Sequence, residues 1–281
     1  MAFTSSYLLS LTTFIYLGAA AIYLVYWIFN IKKVGIFATA ATAVGFAVQT
    51  AGIVMRWLES YKMGYGHAPL SNLYESLVFF AWVTILVYLA IEFKTKNRVI
   101  GAFATPFATG AMAYASFAPG VNDSIQPLIP ALQSNWLIAH VITCFLGYAS
   151  FAIACGLGIM YLIRGDKKEG QGLLGALPSK RVLDELMHQT IIFGFLWLTV
   201  GIITGAVWAN QAWGTYWSWD PKETWSLITW FVYATALHAR FVKGWAGKRI
   251  AWLSIVGFVS VIFTYFGVNF LLSGLHSYGS G

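Results

Sequence analysis

The chain has 281 residues, 59% of them hydrophobic and 10% charged, with a formal net charge of +7. A water-soluble domain carries about a quarter charged residues, so this composition excludes a soluble globule and makes lipid the main solvent. The positive surplus would suit nucleic acid, but its placement along the chain assigns it to membrane orientation instead.

Eight apolar runs follow one another, each near the ~20 residues that cross a bilayer: 7–29, 34–58, 73–93, 99–117, 135–163, 187–209, 224–241 and 250–273. No basic residue precedes the first, which therefore reads as a span rather than an export signal. The fold class expected is all-α, a polytopic bundle of about eight transmembrane helices forming a single membrane domain over residues 1–281. Of the 17 Lys and Arg, fourteen fall in the first, third, fifth and seventh loops: Lys32, Lys33, Lys94, Lys96, Arg98, Arg164, Lys167, Lys168, Lys180, Arg181, Arg240, Lys243, Lys248 and Arg249. The positive-inside rule places those loops in the cytoplasm or its equivalent and both termini outside. Nucleic acid is not expected as a partner.

Between the spans, the outer loops 59–72 and 118–134 are rich in Gly, Pro, Ser and Asn. The second, "APGVNDSIQPLIPALQS", is expected to hold a short interfacial helix. The inner loop 164–186 carries mixed charge and leads into the sixth span. Glycines such as Gly35, Gly45, Gly52, Gly201 and Gly205 stud the spans, as close helix packing in lipid requires. Cys144 and Cys155 lie in one predicted helix without metal-ligand spacing and read as small apolar filler.

The segment Trp208–Trp230, "WANQAWGTYWSWDPKETWSLITW", holds six of the chain's 13 Trp. Within it, Asp220, Pro221 and Glu223 have the order of a helix start: an N-cap, Pro at the first position and an acid three residues after the cap. This leaves Lys222 near the outer surface with room for a second role. Two readings of the tryptophans stand. One is an interfacial belt. The other is a shelf for a large flat apolar ligand, with indole N–H groups facing its polar edge.

Ionisable residues within a bilayer are expensive and point to function. His140 lies about 8 Å into the fifth span from outside at 1.5 Å per residue, and His276 lies just past the outer end of the eighth. Two imidazoles at matching depth are a standard haem-iron ligand pair. His238 lies thirteen residues beyond Trp225, about 20 Å deeper. It reads either as a ligand of a second haem completed by another chain or as a residue snorkelling with Arg240. His188 is expected to be solvated and His67 to structure its loop. Glu75 is expected to contact headgroups. Arg56, in the outer third of a span, pairs with Glu59 or receives a ligand carboxylate.

These residues carry a resemblance. "WANQAWGTYWSWDPKETWSLITWFVYATALHAR" is similar to the tryptophan-rich WWD signature of haem-handling proteins, and most closely resembles the CcsA/ResC branch of system II cytochrome c biogenesis. "GHAPLSNLYESLVF", the Leu137-to-Tyr148 surroundings of His140 and the terminal His276 also fit that branch, so the likeness covers about the last half of the chain and one earlier loop.

The resemblance implies that haem b, as bound substrate, crosses the membrane and is presented outside. There it would be joined to the CxxCH motif of an apocytochrome c. It makes His140 and His276 the outer axial ligands and His238 a ligand of an inner haem. Trp213, Trp217, Trp219, Trp225 and Asp220 would line the ring, and Lys222 and Arg56 would meet propionates. Lyase activity would need a CcsB/ResB-type membrane partner, with thiol-reducing proteins supplying reduced cysteines. The membrane would be a bacterial plasma membrane, or a thylakoid in a cyanobacterium or plastid. Rival readings are a CcmC-type haem chaperone without lyase activity, a b-type electron carrier, and a structural subunit.

Overall fold

The computed structural model describes residues 4–165, 172–272 and 274–275, and among them only helices, turns and connecting loops occur. The helices are α1 (Ser5–Phe29), α2 (Lys32–Lys62), α3 (Leu73–Thr95), α4 (Gly101–Phe117), α5 (Asn135–Arg164), the single turn α6 (Gly172–Gly175), α7 (Lys180–Trp213), α8 (Pro221–Lys243) and α9 (Lys248–Ile262). A π-helical stretch, Phe263–Gly267, carries α9 into α10 (Val268–Leu271). Among the described residues, six helices are long and apolar enough to cross a membrane: α1, α2, α3, α5, α7 and the continuous run Lys248–Leu271. The other two expected spans are present as helices but fall short of that standard. Helix α4 has 17 residues, and α8 is diluted by its Trp, Tyr, Thr and His side chains. The expected interfacial helix in 118–134 is one 3-10 turn, Pro130–Leu132.

The chain forms two compact units. Unit 1 comprises α1–α4 and α6. Helix α2 turns a stripe of small or polar residues inward (Gly35, Ala38, Thr42, Gly45, Gln49, Gly52, Arg56 and Ser60), three or four residues apart. A Cβ at Gly45 would lie 2.6 Å from the Tyr16 ring, and one at Gly52 would lie 2.8 Å from Leu9. Ascending positions on α2 thus meet descending positions on α1, and the pair packs antiparallel at the distance small residues permit.

Unit 2 comprises α5 and α7–α10. Here small residues on both helices let α5 and α7 approach, with Gly147 of α5 against Leu198 of α7. A Cβ at Gly194 would lie 2.6 Å from the Phe151 ring, and one at Gly201 would lie 2.6 Å from Cys144 Sγ. Phe151 continues the packing onto α8 through a stack with Tyr233, 3.5 Å between centroids and 6° between planes. The next small residue up α7, Gly205, receives His140.

Candidate functional site

At Gly205 a Cβ would lie 2.6 Å from His140 Nδ1, so only glycine admits the imidazole. Seated there, Nδ1 lies 2.8 Å from the Gly201 carbonyl oxygen. A carbonyl only accepts, so Nδ1 carries the hydrogen, and in the neutral form of the ring the lone pair is then on Nε2. That is the tautomer a metal-ligating histidine needs, fixed by a bond to its other nitrogen. The ring lies parallel to the indole of Trp208, with centroids 5.8 Å apart and planes 15° apart. Trp208 is buried and donates Nε1–H to the Ala131 carbonyl at 2.8 Å.

The tryptophans do not form one sheet of rings. Trp213 meets Trp208 edge-on at 4.9 Å. Trp225 packs on Phe263 at 4.1 Å. Trp230 ties α8 to α7 by donating to Thr199 Oγ1 at 2.9 Å and is a packing residue of the bundle. Trp217 and Trp219 occupy the loop, perpendicular to each other at 5.6 Å. Trp219 is 68% exposed with φ of 60°. A bulky residue in the left-handed region is a genuine outlier, and such strain collects at ligand clamps.

What holds that loop is the capping box expected from the sequence. Asp220 Oδ1 accepts the Lys222 N–H at 2.9 Å, while Glu223 Oε2 accepts the N–H groups of Ser218 and Asp220 at 2.8 and 3.2 Å. Asp220 does more than cap: Oδ2 accepts the Leu275 N–H at 2.6 Å. Lys222 Nζ donates to Asn269 Oδ1 at 2.8 Å. Burial pushes the Lys222 ammonium down to about 8 against the opposing pull of Asp220.

The remaining expected residues divide. His276 lies outside the described residues. His238 is exposed on α8. His188 makes an edge contact with Phe241 at 5.4 Å. In unit 1, Arg56 pairs with Glu75 rather than Glu59: Nε lies 2.7 Å from Glu75 Oε1, and both groups are almost fully buried. Its Nη1 and Nη2 donate to the carbonyls of Asp123 and Ser124 at 2.8 and 3.3 Å. Glu75, expected among headgroups, is thus an interior partner, because α2 and α3 face each other there. Glu59 instead accepts the Ser5 N–H at 3.0 Å. His67 structures its loop as expected, its two ring nitrogens 3.0 and 2.8 Å from the carbonyls of Ala68 and Gln126.

Sequence reasoning missed the seat at Gly201 and Gly205, the Asp220–Leu275 bond and the left-handed Trp219. The four-residue spacing of the two glycines, level with His140, was the available signal for the first.

A family model described as Cytochrome C assembly protein matches residues 70–276. The match begins inside the outer-loop motif that starts at Gly66 and fills the stretch between it and the last half of the chain, taking in α3 and α4. Curated relatives named Cytochrome c biogenesis protein CcsA include one from Parasynechococcus marenigrum (strain WH8102), 46% identical over 257 residues covering 82% of each chain. Another, from Guillardia theta, is 43% identical over 269 residues covering 89% of this chain and 88% of that one. Among solved structures, Cytochrome c Heme Lyase CcmF matches with a TM-score of 0.67 at 17% identity, over 94% of this chain and 47% of that one. At that identity the likeness is one of fold, and this chain spans about half of the larger protein. The matched model and the identity across most of both chains make this chain a member of the cytochrome c assembly protein family, alongside the CcsA proteins.

Proposed function

We propose that the chain presents haem at the outer membrane face and, with a CcsB/ResB-type partner, attaches it to the CxxCH motif of an apocytochrome c. The observation that carries this reading is the His140 ring, set in the ligating tautomer against Trp208 beside the strained tryptophan loop. The curated relatives, named for cytochrome c biogenesis, and the structural neighbour, named a heme lyase, support the same chemistry. His140 and His276 take the two axial positions of haem b. Trp213, Trp217, Trp219 and Trp225 meet the ring, and Lys222, rather than Arg56, meets a propionate. His238 serves a second haem with a ligand from the partner.

This chain's contribution to the reaction is placement. Each cysteine sulfur adds to the inner vinyl carbon while a proton goes to the outer one, so the step needs no net oxidant or reductant. Thiols supplied reduced by partner proteins and vinyls held by the histidine pair become neighbours on docking. Lost translational and rotational freedom is a large part of such a barrier.

The test is purification of the full chain. It is expected to show a haem Soret band that weakens in His140→Gly and His276→Gly and recovers with added imidazole. Co-expression with the partner and a CxxCH acceptor is expected to yield covalent haem. Unchanged spectra in both variants remove the ligand assignment, and haem transfer without thioethers makes the chain a chaperone.

A further inference from the structure

The cap of α8 needs one carboxylate oxygen, and Asp220 spends Oδ1 on it. Its other oxygen, Oδ2, holds the N–H of Leu275, fifty-five positions along the chain, and Asp220 is buried as it does so. The contact is close-fitting. A Cβ at Gly274 would collide with Asp220 Oδ2 and lie 3.0 Å from Pro221 Cδ, so the backbone passes directly over the cap. A second tie runs from Lys222 Nζ to Asn269 Oδ1 at 2.8 Å, and a third from Thr264 Oγ1 to the Trp225 carbonyl at 3.2 Å. The π-helical stretch Phe263–Gly267 contains the third of these contacts, at Thr264, and lies between the regular part of the last helix and the other two. An extra residue in a helical turn rotates everything after it by about 100°, which changes the side that Asn269 presents. Among the described residues these three bonds tie the stretch from Thr264 to Leu275 to the start of α8, and the last of them falls one residue before His276.

We infer that Asp220 is the positioning residue for His276: its carboxylate anchors the Leu275 amide to the tryptophan loop, one residue before the imidazole. The inference rests on the haem reading for its consequence but not for the tether itself. A ligand whose neighbouring backbone is untied must be ordered when it binds, and that ordering weakens the site. A bond to a charged acceptor is the strong kind and changes an equilibrium by about ten- to a hundredfold. It also gives one side chain two duties, starting the helix under the loop and aiming the second ligand at it.

The experiment compares full-length wild type with Asp220→Asn and Leu275→Pro by amide hydrogen exchange and haem spectroscopy. Asparagine keeps one oxygen for the cap and turns an NH2 toward Leu275. Proline removes the same bond from the other side without touching the cap, and it carries the test if Asp220→Asn misfolds. In both, exchange across 268–274 is expected to rise about tenfold while the amides of α8 keep their protection. The bound haem is expected to shift from a bis-imidazole to a mixed or five-coordinate spectrum that added imidazole restores. Unchanged exchange at 268–274 overturns the tether, and faster exchange with an unchanged haem spectrum overturns the positioning role. A wild-type chain without haem sinks the haem reading, whereas exchange still decides the tether.

Discussion

The two units treat expensive side chains differently. In unit 1 they are buried and closed on one another. Arg56 meets Glu75 and two carbonyls. Gln49 accepts from Tyr16 at 2.6 Å and donates to the Val78 carbonyl at 2.9 Å. Glu92 accepts from Tyr23 at 2.9 Å, from Thr39 at 2.6 Å and from Tyr88, with Arg98 at 3.5 Å. In unit 2 such groups are buried where they build the α8 cap, as Asp220 and Glu223 are, while others are left more open: Trp219 in a left-handed backbone, His238 on an outward face of α8, and half-buried His140 in a glycine seat that orients it. A satisfied buried network specifies a fold. Strain and exposure held in place by surrounding structure point to a ligand.

The largest expected effect tests unit 1. Arg56→Met leaves the Glu75 carboxylate buried without its cation, which costs about 3–5 kcal/mol. Accumulation and thermal midpoint are expected to fall sharply, and adding Glu75→Gln to recover a good part of the loss. Haem per folded molecule is expected to stay at the wild-type level. A well-folded Arg56→Met with a depleted Soret band would make Arg56 a propionate partner and erase the contrast between the units.

An intermediate effect tests unit 2 through pH. The ammonium of Lys222 is charged below about 8 and neutral above it. Its attraction for a propionate is therefore present at pH 7 and lost as pH rises through 8. Haem retention in dialysis is expected to drop about tenfold between pH 7 and 9, the worth of a hydrogen bond to a charged group. Lys222→Met is expected to bind more weakly at pH 7 and to show no step. An identical step in the variant would assign the titration to another group.

How far the sequence carried the structure differs between these same places. Helix positions followed from apolar run length, and the start of α8 from Asp220, Pro221 and Glu223, because capping is local chemistry. His140 stood out because an imidazole within a span is rare. Its seat was harder to read: Gly201 and Gly205 looked like packing glycines in general, and only the approach of α5 to α7 shows that they hold this ring. The partner of Arg56 was misread for the same reason. Glu59 is near in sequence, but Glu75 is near in space, and helix periodicity alone does not rank the two. The grip of Asp220 on Leu275 joins residues fifty-five apart and had no pattern to announce it.

The smallest expected change in stability is the most diagnostic. Replacing a buried aromatic with a small residue costs about 3–5 kcal/mol, and Trp208, buried and bonded through Nε1, is expected to behave that way in Trp208→Gly. Trp219→Gly deletes an equally large side chain, yet three terms nearly cancel. Relief of the left-handed backbone returns about 1–2 kcal/mol. The edge contact with Trp217 gives up about 0.5–1.5 kcal/mol, and glycine's extra freedom in the unfolded chain takes about 0.5–1 kcal/mol. With the ring 68% exposed, little burial is lost. The thermal midpoint is therefore expected to move by no more than about 2 °C while haem retention falls. A loss of stability as large as that of Trp208→Gly would mean that Trp219 packs for the fold. The loop would then be an ordinary part of the bundle, its backbone strain serving structure rather than a ligand.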